Sequence, residues 1–339
     1  MGGIMYPGQY TLCLQTRNTD DMLRFYGALG MSTRVLAPNS AMAWNGDIHL
    51  ALMTFLNEHS MNFRGADPVA IHREATSTGI AFENDPYRYR KEEYSADADG
   101  CNWLIHDPDG NNVFFDTNEN ETGPEGLVWM TQRVVLATRR QLENVRASAD
   151  CQEAFQRDVV DLYAAPDTLK PFGHNLTGSS DRFPGFFNYC LKTADNERSA
   201  AWYRAIGIEV GSPSEGHHVH LETSDSRIEL MTFLPENWLN FRGADVFQVY
   251  DWLSATGLEL EGEPVRYTEE EYGSAGAHWQ TRDPDGNQVY FDTTDDELIQ
   301  PGSKDVVRRV LTTAIAQIED IGAGAACKSA CQAILADYT

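Results

Sequence analysis

The chain has 339 residues, 42% of them hydrophobic, which is enough for two domains that each bury a core. Asp and Glu number 51 against 26 Lys and Arg, a formal net charge of −25. Such a surface repels phosphate backbones and anionic lipid, which argues against nucleic acid or a membrane as partner, and no apolar run approaches the ~20 residues of a bilayer span.

The opening MGGIMYPGQYTLCLQ lacks the basic-then-apolar order of a secretory signal. Tyr10–Thr16 then alternates as a strand, and Thr19–Leu29 reads as a helix with Met22, Phe25, Tyr26 and Leu29 on one face and Gly30 as its stop. Short strands are expected around Ser32–Leu36, Ala41–Trp44 and Ile48–Phe55. A second round starts with a strand near Met61–Arg64. Asp67-Pro68 opens a helix to Thr78, and strands follow near Ile80–Glu83, Asn102–His106 and Asn112–Asp116. One unit is therefore βαβββ, twice.

The whole unit then returns. Leu12–Thr16 is matched by Tyr189–Thr193, Phe25-Tyr26 by Trp202-Tyr203, and Met53–Leu56 by Met231–Leu234. The hexapeptide Asn62–Asp67 recurs unchanged as Asn240–Asp245, and the turn Asp107–Asn111 as Asp283–Asn287. Helical tails, Val128–Ala164 and Val306–Ala336, share the repeat, with Cys151 matching Cys327. The expected organisation is a first domain over 1–118, a tail and linker over 119–180, a second domain over 181–295 and a C-terminal tail over 296–339. The tails are amphipathic and suited to packing on the domains, on each other, or between subunits of a homodimer.

With its helix ending in Phe-Tyr or Trp-Tyr, its Leu-Gly or Ile-Gly stop, and the DPDGN turn before the last strand, the chain resembles the vicinal oxygen chelate superfamily of glyoxalase I, extradiol dioxygenases and bleomycin-resistance proteins. The match covers about 10–117 and 187–293. The resemblance implies an α+β fold of two glyoxalase-like cups, each of two βαβββ modules, with a small organic molecule bound inside the cup beside one divalent metal. The ligand positions it implies are Thr11 and Phe114 in cup one and Asn188 and Tyr290 in cup two, with a further one near Met61 and Leu239. None of these is a good divalent-metal ligand, and Phe cannot donate at all. No metal is therefore expected in cup one.

In cup two the implied fourth-strand carboxylate survives as Glu229, where cup one has Ala51. Upstream, His218, His220 and Glu222 share one strand face and His217 points away. A turn at Ser224–Ser226 would set His220 opposite Glu229, with Cβ atoms about 5 Å apart. These side chains offer a site for Fe, Zn or Mn, with His220 and Glu229 as ligands and His218 as a catalytic group; the alternative is a solvated hairpin that binds nothing.

His278, a titratable group where cup one has Asn102, is the other catalytic candidate. Trp103 and Trp279 are either platforms for a flat ligand or core fillers. Arg64 and Arg242 of the repeated hexapeptide are expected on the helix side, holding a helix end or a carboxylate, and the DPDG aspartates are expected to serve their turns. Tyr94 and Tyr272 follow acidic runs in loops near the cup mouth. Six scattered cysteines with no CxxC pair read as reduced, buried thiols of a cytoplasmic protein. Three functions follow from these residues: an enzyme acting on a small organic molecule in cup two (a lyase, isomerase or dioxygenase), a metal-free sequestering protein, or a scaffold whose tails do the recognising.

Overall fold

Each module helix starts on a side-chain cap. Asn18 accepts from the Asp21 amide ahead of the helix Thr19–Ala28, and Asp67 from Val69 ahead of Pro68–Ser77. Asp195 and Asp245 do the same for Asn196–Ala205 and Val246–Ser254. Such caps satisfy amides that the first turn leaves open, each contributing ~1 kcal/mol. In this computed structural model, residues 7–45, 48–94, 96, 98–122, 124–163, 182–211, 217–223 and 226–338 are described.

The strands of the first half are β1 Gln9–Gln15, β2 Ser32–Ala37, β3 Ser40–Asn45, β4 Ile48–Met53, β5 Ser60–Arg64, β6 Tyr87–Tyr89, β7 Gly100–His106 and β8 Asn112–Asn118. They form one sheet in the order β2-β3-β4-β1-β5-β8-β7-β6. The second half repeats this with β9 Phe186–Lys192, β10 Glu209–Val210, β11 His218–Thr223, β12 Ser226–Met231, β13 Trp238–Arg242, β14 Val265–Tyr267, β15 Gly276–Arg282 and β16 Gln288–Thr294, ordered β10-β11-β12-β9-β13-β16-β15-β14. The fold is α+β, with two eight-stranded sheets of two βαβββ modules each.

One local expectation shifts. Residues 80–83 form no strand; Ile80 and Phe82 pack on the core, and β6 further on makes the edge ladder with β7. The first tail is helical in pieces. Pro124–Asn144 ends where Arg146 turns to φ 55°, and helix resumes at Ala149–Phe155. The matching turn after Lys304–Asp320 uses Gly322 at φ 71°, a conformation that costs glycine nothing.

Alternation assigns the faces. Leu12, Phe63, Trp103 and Phe115 of the first sheet, with Leu191, Phe241, Trp279 and Phe291 of the second, lie with the module helices in one continuous core. The tails make a second core, in which Val134 and Leu142 meet Val310 and Ile318. The six cysteines are free and buried.

The halves are tied by the repeated motifs themselves. Tyr26 donates to Asp283 at 3.0 Å, and Tyr203 donates to Asp107 at 2.7 Å. Each aspartate also serves its own turn, accepting from the side chain of Asn287 or Asn111 at 2.8 Å. The turn role expected for DPDG is thus half of what it does. His59 adds a bridge, its Nδ1 accepting from the Gln15 amide at 3.0 Å and its Nε2 lying 2.7 Å from Asn287 Oδ1.

Candidate metal centre and floor of cup two

The inner face of each sheet is the one turned away from the module helices. In cup two, β9 and β13 set Asn188 opposite Asn240 and Cys190 opposite Trp238, while β16 sets Tyr290 beside Asn240. On the other flank Cys190 pairs with Glu229, and Glu229 with His220. One face therefore carries His218, His220, Glu229, Asn188, Asn240 and Tyr290. In cup one the corresponding register aligns Thr11, Asn62 and Phe114.

The His220–Glu229 register is the one expected from the sequence, although residues 224–225 of the joining turn lie outside the described residues. Glu229 is 3% exposed. Its Oε2 accepts from His218 Nε2 at 2.6 Å and lies 2.5 Å from His220 Nδ1. Among the described residues, these three side chains hold one ligand atom each within 4.8 Å of one another. Two imidazoles and a buried carboxylate on a hairpin of fixed register suit a first-row divalent metal. Glu222 shares the face but pairs with Arg227 at 2.9 Å.

The positions implied by the family resemblance fail the same test. Thr11, Asn62 and Phe114 offer a hydroxyl, an amide and a hydrocarbon ring. Asn188, Asn240 and Tyr290 offer two amides and a phenol, whose pKa burial and neighbouring Asp292 push well above the ordinary tyrosine value. Neither set is a transition-metal site. The further ligand position, expected near Met61 and Leu239, belongs one residue later. Met61 and Leu239 are core residues, and Asn62 and Asn240 take the inner face.

Trp103 and Trp279 are not in the cavity. Each is 1% exposed on the helix side, stacked on Phe115 or Phe291, with its indole N–H bound to Asn84 or Glu261 carbonyl oxygen. They are core fillers because the phase of β7 and β15 that buries Ile105 and Ala277 buries them too. His278 does lie inward, with its ring centroid 6.0 Å from that of Tyr290. Arg64 and Arg242 were expected on the helix side and instead lie inward. They hold carboxylates there: Arg64 bonds Asp116 at 2.5 Å and Glu121 at 2.8 Å, and Arg242 bonds Asp292 at 2.7 Å and Glu297.

Cup one is filled by its own tail. From the helix Pro124–Asn144, Arg133 reaches the inner face, donating to Thr11 Oγ1 at 2.7 Å and to His49 Nδ1 at 2.9 Å. A fixed guanidinium, 8% exposed, stands beside the first-strand position. The matching Arg309 takes another course, its guanidinium 3.5 Å from the ring centre of Phe186. Arg133 and Asn240 escaped the sequence reading, although the alternation Leu239-Asn240-Phe241-Arg242 carried the signal for the second.

Among the described residues, no helix is long and apolar enough to cross a membrane. No family model and no curated protein matches the chain. In structure it is similar to a Mn(II)-bound glyoxalase from Novosphingobium aromaticivorans, at 11% identity and TM-score 0.45 over 84% of this chain and 80% of that one. A catechol 2,3-dioxygenase matches at 12% identity and TM-score 0.47, covering 85% of this chain and 93% of its own. A homoprotocatechuate 2,3-dioxygenase variant from Brevibacterium fuscum matches at 15% and 0.45, covering 86% and 72%.

Proposed function

We propose that the protein is a metal-dependent enzyme acting on a small organic molecule in cup two, with cup one serving as a structural partner. The observation that carries this is the convergence of His218, His220 and Glu229 around one point, with the carboxylate buried and both imidazoles partly open to solvent. A metal held there would supply Lewis-acid or redox chemistry to an oxygen-bearing ligand. His278 and Tyr290 border the same face, and the phenol, its pKa raised further by burial, is a hydrogen-bond donor there. Lyase, isomerase and dioxygenase chemistry all fit this reading. The sequestering alternative shares the cup and dispenses with the metal.

Elemental analysis of purified protein separates the two. Close to one transition metal per chain is expected, and His220→Ala with Glu229→Gln should strip it. Metal retained by that double variant would refute the assignment. A metal-free wild type with intact ligand binding would favour sequestration.

A further inference from the structure

Away from the metal centre, a cavity of about 160 Å3 opens at the seam between the cups, where β5 and β8 begin. Cup one contributes Glu58, Ser60, Asn111 and Asn112 to its walls, and cup two Tyr189 and Asn237. Ser60 and Asn112 lie side by side on the two strands, each 8% exposed. Ser60 Oγ and Asn112 Oδ1 have no hydrogen-bond partner among the described residues. The Asn112 amide is held in that sense by its Nδ2, which donates to the His59 carbonyl oxygen at 3.4 Å.

The nitrogens of the walls are already committed. Asn237 uses both N–H bonds of its amide, on Asn111 Oδ1 at 2.7 Å and on the Tyr189 phenol oxygen at 3.4 Å. The ring nitrogens of His59 are taken by the Gln15 amide and by Asn287. What faces the cavity is oxygen, including the carboxylate of exposed Glu58, which makes no ion pair among the described residues. Buried acceptors left unmet are costly, so such a hollow calls for something that completes it.

In the repeat the same place is closed from within. Glu236, the counterpart of Glu58, pairs with Arg282 at 2.6 Å. Cup one has His106 in place of that arginine, and His106 pairs with Glu83 at 2.8 Å, leaving Glu58 without a cation. Gln288, the counterpart of Asn112, accepts from Gln280 at 3.1 Å and donates to the Thr281 carbonyl oxygen at 2.8 Å. Beside it the bulk of Trp238 replaces Ser60.

We infer that the seam cavity is a binding site for Ca2+, with Glu58, Ser60 and Asn112 supplying oxygens and water completing the shell. Ca2+ takes about 6–8 oxygen ligands in a flexible arrangement, amide carbonyls and waters included. Mg2+ demands a tighter octahedron, and transition metals favour nitrogen or sulfur. One carboxylate among neutral oxygens makes a weak site, with Kd about 10−4–10−3 M. With Tyr189 in its wall, an ion here fastens cup one to cup two, and the site shares no residue with His218, His220 and Glu229.

The test is calorimetric titration of CaCl2 into the full-length protein at about 150 mM KCl, which screens loosely held counterions. One Ca2+ per chain is expected at the seam, with Mg2+ bound about tenfold more weakly or not at all. Glu58→Gln, a change at an exposed residue that leaves the fold intact, should weaken Ca2+ about tenfold or more. Glu236→Gln removes the same charge from a carboxylate that is already paired, and should leave Ca2+ binding unchanged. His218→Ala/His220→Ala should leave it unchanged too, so this site and the metal centre of cup two stand or fall separately. A wild type that binds no Ca2+ would mean that water alone fills the cavity and would overturn the inference. So would Mg2+ bound as tightly, or Ca2+ binding undiminished by Glu58→Gln, the mark of a diffuse acidic surface.

Discussion

Tyr26 and Asp283 come from opposite halves of the chain and meet at 3.0 Å in the interior, both buried. Their images in the repeat, Tyr203 and Asp107, meet at 2.7 Å. One motif supplies the donor and the other the acceptor, in both directions. Burial, reinforced by the carboxylate alongside, holds both phenols well above the ordinary tyrosine pKa, so both remain donors.

Removing either donor should therefore weaken the junction between the cups. Tyr26→Phe or Tyr203→Phe leaves a buried carboxylate short of one charge-assisted bond, a loss of about 1.5–3 kcal/mol. Urea denaturation measures it, and a loss below about 0.5 kcal/mol, the range of ordinary surface changes, would show that the pair contributes little.

The same aspartate gives a pH dependence of known sign. Burial raises the Asp283 pKa above its ordinary 3.8, outweighing the bonds it accepts from Asn287 and Tyr26. The native state thus binds the proton more tightly than the unfolded chain. Its contribution to stability is full below the unfolded pKa and declines as pH rises through the native one. Asp283→Asn should flatten that slope of denaturation free energy against pH in the acidic range; an unchanged slope would assign the dependence elsewhere.

Arg133→Ala should cost about 2 kcal/mol or more, since Thr11 and His49 each lose a donor and the tail helix loses its anchor. Metal content in cup two should not change. Arg133→Lys should recover only part of the stability, because one ammonium cannot copy the planar fork that reaches both partners. Thermal denaturation with metal analysis on the same samples checks both statements.

Trp103→Ala and Trp279→Ala should each destabilise by about 3–5 kcal/mol, as expected for emptying a core site of that size. Trp279→Phe, milder in volume, should keep the metal. Loss of metal in a folded Trp279→Phe protein would move that indole into the binding site.

Much of this architecture was legible in the chain. The repeat and its alternating periods predicted two sheets of paired modules; period two put His218 and His220 on one face, and a turn at Ser224–Ser226 set His220 opposite Glu229. The errors came where counting from a resemblance displaced local alternation. Met61-Asn62-Phe63-Arg64 reads apolar, polar, apolar, polar, and the apolar pair goes to the helix side whatever a relative does at that position. Trp103 was ambiguous because both faces of a covered sheet accept an indole; only its neighbours Phe82 and Phe115 decide. The Tyr26–Asp283 bond was hidden for a different reason. Its partners lie far apart in the chain, and no periodicity reports which surfaces of two domains will meet.

The guanidinium in cup one sets the two copies on unequal terms. In the first copy the tail's arginine is spent on the sheet, reaching a threonine and a histidine. In the second its counterpart is spent on an aromatic ring, so one repeated residue fastens each tail by a different chemistry.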